Sequence, residues 1–235
     1  MIADRSSVSL ADLAWPVVGE RCARGAVLAV PVGSTEQHGP QLPLSTDTDI
    51  AGALCERLAA VRDDVIIAPA IAYGSSGEHE GFPGTLSIGQ QCLEYLVVEL
   101  VRSASRTFPA VLLVCAHGGN AAPLMRAVAC LRAESRDVLL FLPRCEGDAH
   151  AGRTETSIML ALHPDRTRMN LAVPGNMRPL AELMPTLRSA GVRAVSESGV
   201  LGDPVGATAD EGSALLDQLE IALVDQVVRW REERS

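Results

Sequence analysis

Short apolar runs alternate with longer helical patterns along this chain, and that alternation limits the folds open to it. The runs at 26–32, 65–68, 110–115 and 138–142 are unbroken and rich in branched residues. This suits strands buried on both faces. Helical patterns cover 48–61, 87–106, 121–134, 154–162 and 209–231. Ser87 is the predicted N-cap of the second, ahead of Leu93, Leu96, Val97, Leu100 and Val101. Strand–helix alternation predicts an α/β fold, a mostly parallel sheet covered by helices on both faces. With 47% hydrophobic residues over 235 positions, the chain can bury one core, as a single domain over residues 1–235. In such sheets ligands bind beyond the carboxyl ends of the strands.

Chemistry gathers at that edge. The segment Gly33-Ser34-Thr35-Glu36-Gln37-His38-Gly39-Pro40 follows the first predicted strand, with Asp47 shortly after. In an extended backbone residues two apart face the same side, so Glu36 and His38 reach one pocket and Asp47 closes it. His117 follows the third strand in Cys115-Ala116-His117-Gly118-Gly119-Asn120, and Glu155 opens a helical pattern. Carboxylate oxygens and imidazole nitrogens suit zinc, manganese or iron(II) alike. The charges suit two divalent ions: Glu36, Asp47 and Glu155 with one hydroxide bring a buried pair near neutrality, which avoids burying uncompensated charge.

Other features narrow the function. The net charge of −9 comes with no Lys/Arg cluster, which argues against nucleic acid or an anionic membrane as partner. No stretch is long enough to span a bilayer, and the N-terminus lacks the basic and apolar regions of a signal peptide, so a cytoplasmic protein is expected. Six cysteines stand singly and read as buried, reduced thiols, Cys115 and Cys145 near the site included. Two Gly-rich loops, 73–85 and 198–212, are longer than a connection needs. Neither carries a phosphate-binding signature. In the first loop His79 reads as a loop-ordering or substrate-contacting residue rather than a ligand. His163 reads as a solvated histidine at a helix end, and Arg229 to Arg234 as a solvated tail. His150 and Glu155 would diverge on one helix, and converge only if His150 precedes the helix start.

The blocks GSTEQHGPQLPLSTDTDIA, SGEHEGFPGTLS, HGGN and HAGRTETS, in this order, resemble the creatininase (creatinine amidohydrolase) family. GNMRPLAELMPTLRSAGVRAVS and GVLGDPVGATADEG look like its mycofactocin-biosynthesis peptidase branch. The resemblance implies a three-layer α/β/α sandwich, a homo-oligomer and two divalent metals per subunit. It places the metal ligands at Glu36, His38, Asp47 and His117, with Asp47 bridging, and proton transfer at His150. Creatininases proper carry a glutamate where this chain has Gly119. Glu155 is expected to supply the missing carboxylate, and creatinine is put in doubt as substrate. The implied reaction is metal-dependent hydrolysis of a C–N bond, with His150 and Glu155 at the chemistry. The implied substrate is a modified precursor peptide, cleaved to release a C-terminal Val-Tyr-derived unit. Two alternatives stand beside it: another amidohydrolase of the family acting on a cyclic amide or formamide, and a non-catalytic scaffold that kept the fold.

Overall fold

The computed structural model describes residues 7–143 and 147–233. Four parallel strands, β1 (Val27–Val32), β2 (Val65–Ile67), β3 (Ala110–Cys115) and β4 (Val138–Phe141), lie in the order β2-β1-β3-β4. β1 and β3 pair over their full length, from Val27 opposite Ala110 to Val32 opposite Cys115. Period-two alternation sends their side chains into two cores. Val27, Ala29, Leu112 and Val114 pack against α2 (Thr46–Val61), α5 (Arg153–Leu162) and α7 (Ala209–Glu232). Leu28, Val30, Val32, Val111 and Leu113 pack against α1 (Trp15–Ala23), α3 (Gln90–Ala104) and α4 (Ala121–Ala133). The result is the expected α/β/α layering, because strands buried on both faces need helices on both.

Pro31 sits inside the central strand β1, where a proline ordinarily costs a ladder bond. Its carbonyl faces the β2 side and accepts from Ile71 N at 2.9 Å. The missing N–H therefore falls beyond the end of β2, at Ile67, and the ladder to β3 keeps its donors. The chain leaves β1 through Gly33, where an added Cβ would collide with the Thr48 backbone. That close approach seats the first turn of α2 directly beyond the strand.

Several expectations need correction. The helix predicted from residue 87 begins at Gln90, and Gly89, at φ 77°, precedes it. Ser87 is not its cap; the Ser87 hydroxyl instead accepts from Ser76 N at 2.9 Å and from Gly89 N at 3.3 Å. The backbone around Glu36 and His38 is loop, not an extended strand; Thr35 bridges to Leu86, and Glu36 N donates to Leu44 O at 3.1 Å. Cys92 and Cys130 are exposed rather than buried, whereas Cys55 and Cys115 are buried; Cys145 lies outside the described residues. His163 is half-buried as the C-cap of α5. The C-terminal tail is not wholly solvated, since Trp230 is buried and donates to Asp137 Oδ1 at 2.7 Å; Arg234 lies outside the described residues. Two helices went unread, α1 and α6 (Leu180–Ala190). No helix among the described residues is long and apolar enough to cross a membrane.

Candidate metal centre

The strand order reverses between β1 and β3, and in open parallel sheets that crevice is where ligands bind. Glu36 and His38 lie beyond β1, His117 beyond β3, and Asp47 in the first turn of α2. Glu155 lies in the first turn of α5. Both helix N-termini favour a carboxylate through their dipoles. His150 precedes α5, in a bridge to Leu201. Ala151, at φ 52°, then turns the chain into the helix. This strained turn, costing about 1–3 kcal/mol, lets His150 and Glu155 face the same space.

Asp47 is central. Its Oδ1 lies 3.2 Å from His38 Nε2 and its Oδ2 lies 3.3 Å from His117 Nδ1. Ser34 Oγ donates to Oδ2 at 2.5 Å. His117 Nε2 approaches Glu36 Oε2 at 3.2 Å, and Glu155 Oε2 stands 3.8 Å from His38 Nε2 while accepting from Ala151 N at 2.6 Å. Donor atoms within 4.8 Å of one another form three groups: Glu36, Asp47 and His117; His38, Asp47 and Glu155; and Glu36, His38 and His150. The first two share Asp47. The five residues expected as ligands are thus brought together, with His150 against them; its ring centroid is 4.4 Å from that of His38.

Both oxygens of Glu36 are buried and accept no hydrogen bond among the described residues. A buried carboxylate left so is costly unless something else satisfies it. Oxygen and nitrogen donors converging around orphaned lone pairs fit divalent metal cations.

Four of the five histidines stand here, and protein charges alone divide them. For His38 burial opposes the charged ring, but Asp47, Glu155 and Glu36 outweigh it and lift its pKa to about 10. His117 is lifted likewise to about 10 against its burial, by Glu36, Asp47 and Glu78. Burial, with His38 and His79, drives His150 well below the ordinary histidine range. His79 falls to about 4, chiefly through burial. Burial raises Glu155, only partly offset by His38. Glu36 is held well below the carboxylate range, because His117, His79 and His38 overcome its burial.

Sequence reasoning missed Gln37 and Glu78. His79, read as loop-ordering or substrate-contacting, is buried closer to the cluster than that reading implies, with Nε2 3.3 Å from Glu36 Oε1 and its ring 4.4 Å from that of His150. Gln37 ties the histidines together: its side-chain amide nitrogen lies 2.8 Å from His79 Nδ1 and donates to Gly199 O at 3.2 Å, and its backbone carbonyl lies 2.9 Å from His150 Nε2. Glu78 Oε1 is 3.7 Å from His117 Nε2. All three stand in the quoted blocks, but only the fold shows where they point. A cavity of about 1290 Å³ opens over the cluster, lined by Glu78, His117 and His150 and, from α6, by Leu180, Met184 and Leu187.

Comparison with known proteins agrees. The creatininase family profile, described as creatinine amidohydrolase, matches residues 11–227. A mycofactocin precursor peptide peptidase of Mycolicibacterium smegmatis is 51% identical over 217 residues, covering 89% of this chain and 87% of that protein. One from Mycobacterium tuberculosis is 47% identical over 213 residues, covering 86% and 85%. Among solved structures, a Zn–Zn form of a creatininase variant superposes with a TM-score of 0.83 at 25% identity, over 97% of this chain and 98% of that one. An Mn creatininase gives 0.81 at 26%, over 97% and 99%. The same donor-lined crevice, fold and sequence blocks lead to one conclusion: the chain belongs to the creatininase family of metal-dependent C–N hydrolases.

Proposed function

We propose that this chain is a dinuclear metal-dependent peptidase that releases the modified, Val-Tyr-derived C-terminal unit from a mycofactocin precursor peptide. One observation carries the reading: two three-donor groups share the buried Asp47, and one of their members, His117, lines a cavity of about 1290 Å³ together with His150, far roomier than a small cyclic amide needs. The names of the relatives at 51% and 47% identity support the same substrate. Glu36, Asp47 and His117 would hold one ion, and His38, Asp47 and Glu155 the other. Two divalent cations there would supply Lewis acidity and a nucleophilic oxygen at neutral pH.

The protein's own groups handle the proton. His150 Nε2 lies 2.9 Å from the Gln37 backbone carbonyl and 3.1 Å from the Gln37 side-chain nitrogen; with Nε2–H donating to that carbonyl, the Gln37 amide keeps its two N–H groups for His79 Nδ1 and Gly199 O. His150 Nδ1 is then a bare lone pair, 3.9 Å from Glu36 Oε1 and facing the cluster. Its lowered pKa keeps the ring neutral at rest. His150 can therefore take a proton from the attacking water at Nδ1 and pass it to the departing nitrogen, the base and acid halves of one transfer. The apolar side chains of α6 would receive the substrate's aliphatic and aromatic groups. With this reading go a single catalytic domain over residues 1–235, in keeping with the chain's length, a homo-oligomer, as the family likeness implies, and a cytoplasmic setting.

Mass spectrometry of metal-loaded protein incubated with the modified peptide, the unmodified peptide and creatinine tests it. The expected result is cleavage of the first, little of the second and none of creatinine. Efficient creatinine turnover, or an intact modified peptide, would reject the peptidase reading in favour of another amidohydrolase of the family. Absence of metal from the purified protein would point to the scaffold.

A further inference from the structure

Hydrolysis of an amide leaves two charged ends. Water adds across the C–N bond; the carbonyl carbon gains the oxygen and becomes a carboxylate, and the nitrogen gains a proton and, as an α-amine, is largely an ammonium at neutral pH. The donor cluster suits the first product. The second needs a negative partner that the cluster has not already engaged.

Glu36, Asp47 and Glu155 all belong to the donor groups, and Glu78 belongs to none of them. Its carboxylate lines the cavity beside His117, about one-third exposed, with Oε1 3.7 Å from His117 Nε2. Among the described residues no other side chain or backbone group donates a hydrogen bond to it, its own N–H apart. Glu80, which lines the same cavity, is exposed. Two glycines flank Glu78. Its carbonyl packs against Gly191, at the end of α6, where a Cβ would stand 2.8 Å away. On the other side Gly119 has no side chain, and a Cβ there would collide with Glu78 Oε1, Ser75 O and His117 Nε2. The bare glycine leaves the room that the Glu78 carboxylate occupies.

We infer that Glu78 is the specificity residue for the nitrogen side of the scissile bond, accepting its N–H and pairing with the ammonium that hydrolysis releases. The inference rests on the peptidase reading. It assigns Gly119 a matching role, since any side chain there displaces Glu78.

The test is calorimetric binding to the metal-loaded protein of valyl-tyrosinamide, which carries a free ammonium, and of its N-acetyl counterpart, which does not. Wild-type protein should bind the free amine about tenfold more tightly, the scale of a charge-assisted hydrogen bond. In Glu78→Gln, which keeps the shape and loses the charge, the ratio should fall towards one. Metal content by elemental analysis and melting temperature should stay unchanged in Glu78→Gln. A ratio retained in Glu78→Gln overturns the inference, as does a wild-type protein that prefers neither probe or binds neither. Loss of metal from Glu78→Gln overturns it by making Glu78 a ligand. Cleavage of the modified peptide by wild-type protein alongside a retained ratio rejects the Glu78 assignment alone, whereas an uncleaved peptide rejects the peptidase reading itself.

Discussion

Asp47 touches His38 and His117 with different oxygens, so its removal and theirs should differ. Asp47→Ala is expected to lose both metals and His38→Ala mainly one, by elemental analysis of folded protein; an Asp47 variant that keeps two ions would reject the bridging assignment. His150→Gln should keep its metal and turn over about 100- to 10,000-fold more slowly, the range of general acid–base catalysis. Lost metal there would make His150 a ligand. At this scale residue type was a good guide for Glu36, His38, Asp47 and His117, because few other arrangements bring such donors just past buried strands. It gave no role to Gln37 or Glu78, and it kept His79 as loop-ordering or substrate-contacting without showing how near Glu36 it lies. Their part depends on a loop folding back from residue 73 onto residue 117, and nothing local records that contact.

The elements were legible where burial imposed a pattern. Strands buried on both faces must be apolar throughout, so β1, β3 and β4 stand out from the sequence. α1 and α6 bury little: among their described side chains only Val18 and only Leu183 are fully buried, and Pro185 interrupts α6. Both are amphipathic but short, at nine and eleven residues, and each carries a proline, so pattern alone does not mark them as helices. Between the elements, Asn120 acts as a clasp. It is buried where β3 meets α4; its Oδ1 accepts from Ser75 N at 2.8 Å and its Nδ2 donates to Gly33 O at 2.8 Å. It therefore joins the loops that carry Glu36, Glu78 and His117. Asn120→Ala should cost about 1–3 kcal/mol or more, since two buried backbone groups lose their partners. Denaturant unfolding of metal-free protein measures this, and a loss near zero would show that the loops hold without it.

Across the whole molecule the four clustered histidines make behaviour pH-dependent when metal is absent. His38 and His117 have folded pKa values near 10, above the unfolded value. Raised histidine pKa values contribute stability that is complete below about 6.5 and fades as pH rises towards 10. The metal-free melting temperature should accordingly fall between pH 7.5 and 9, and the fall should vanish in a His38→Gln, His117→Gln double variant. Metal must displace those protons, so its affinity should rise with pH over the same window. Calorimetry in buffers of different ionisation enthalpy would show the released protons; none released would place the resting protons elsewhere. The clasped, strand-end layout also sets an order of assembly. The first donors come from the β1–α2 junction, the next only after β3, and the last only when α5 has packed. Contacts so far apart in sequence form late, after the entropy of closing long loops has been overcome. A growing chain therefore exposes Glu36, His38 and Asp47 long before Glu155 exists to join them, and a cation captured then meets an incomplete set of ligands. Lasting metal retention becomes a signature of finished folding.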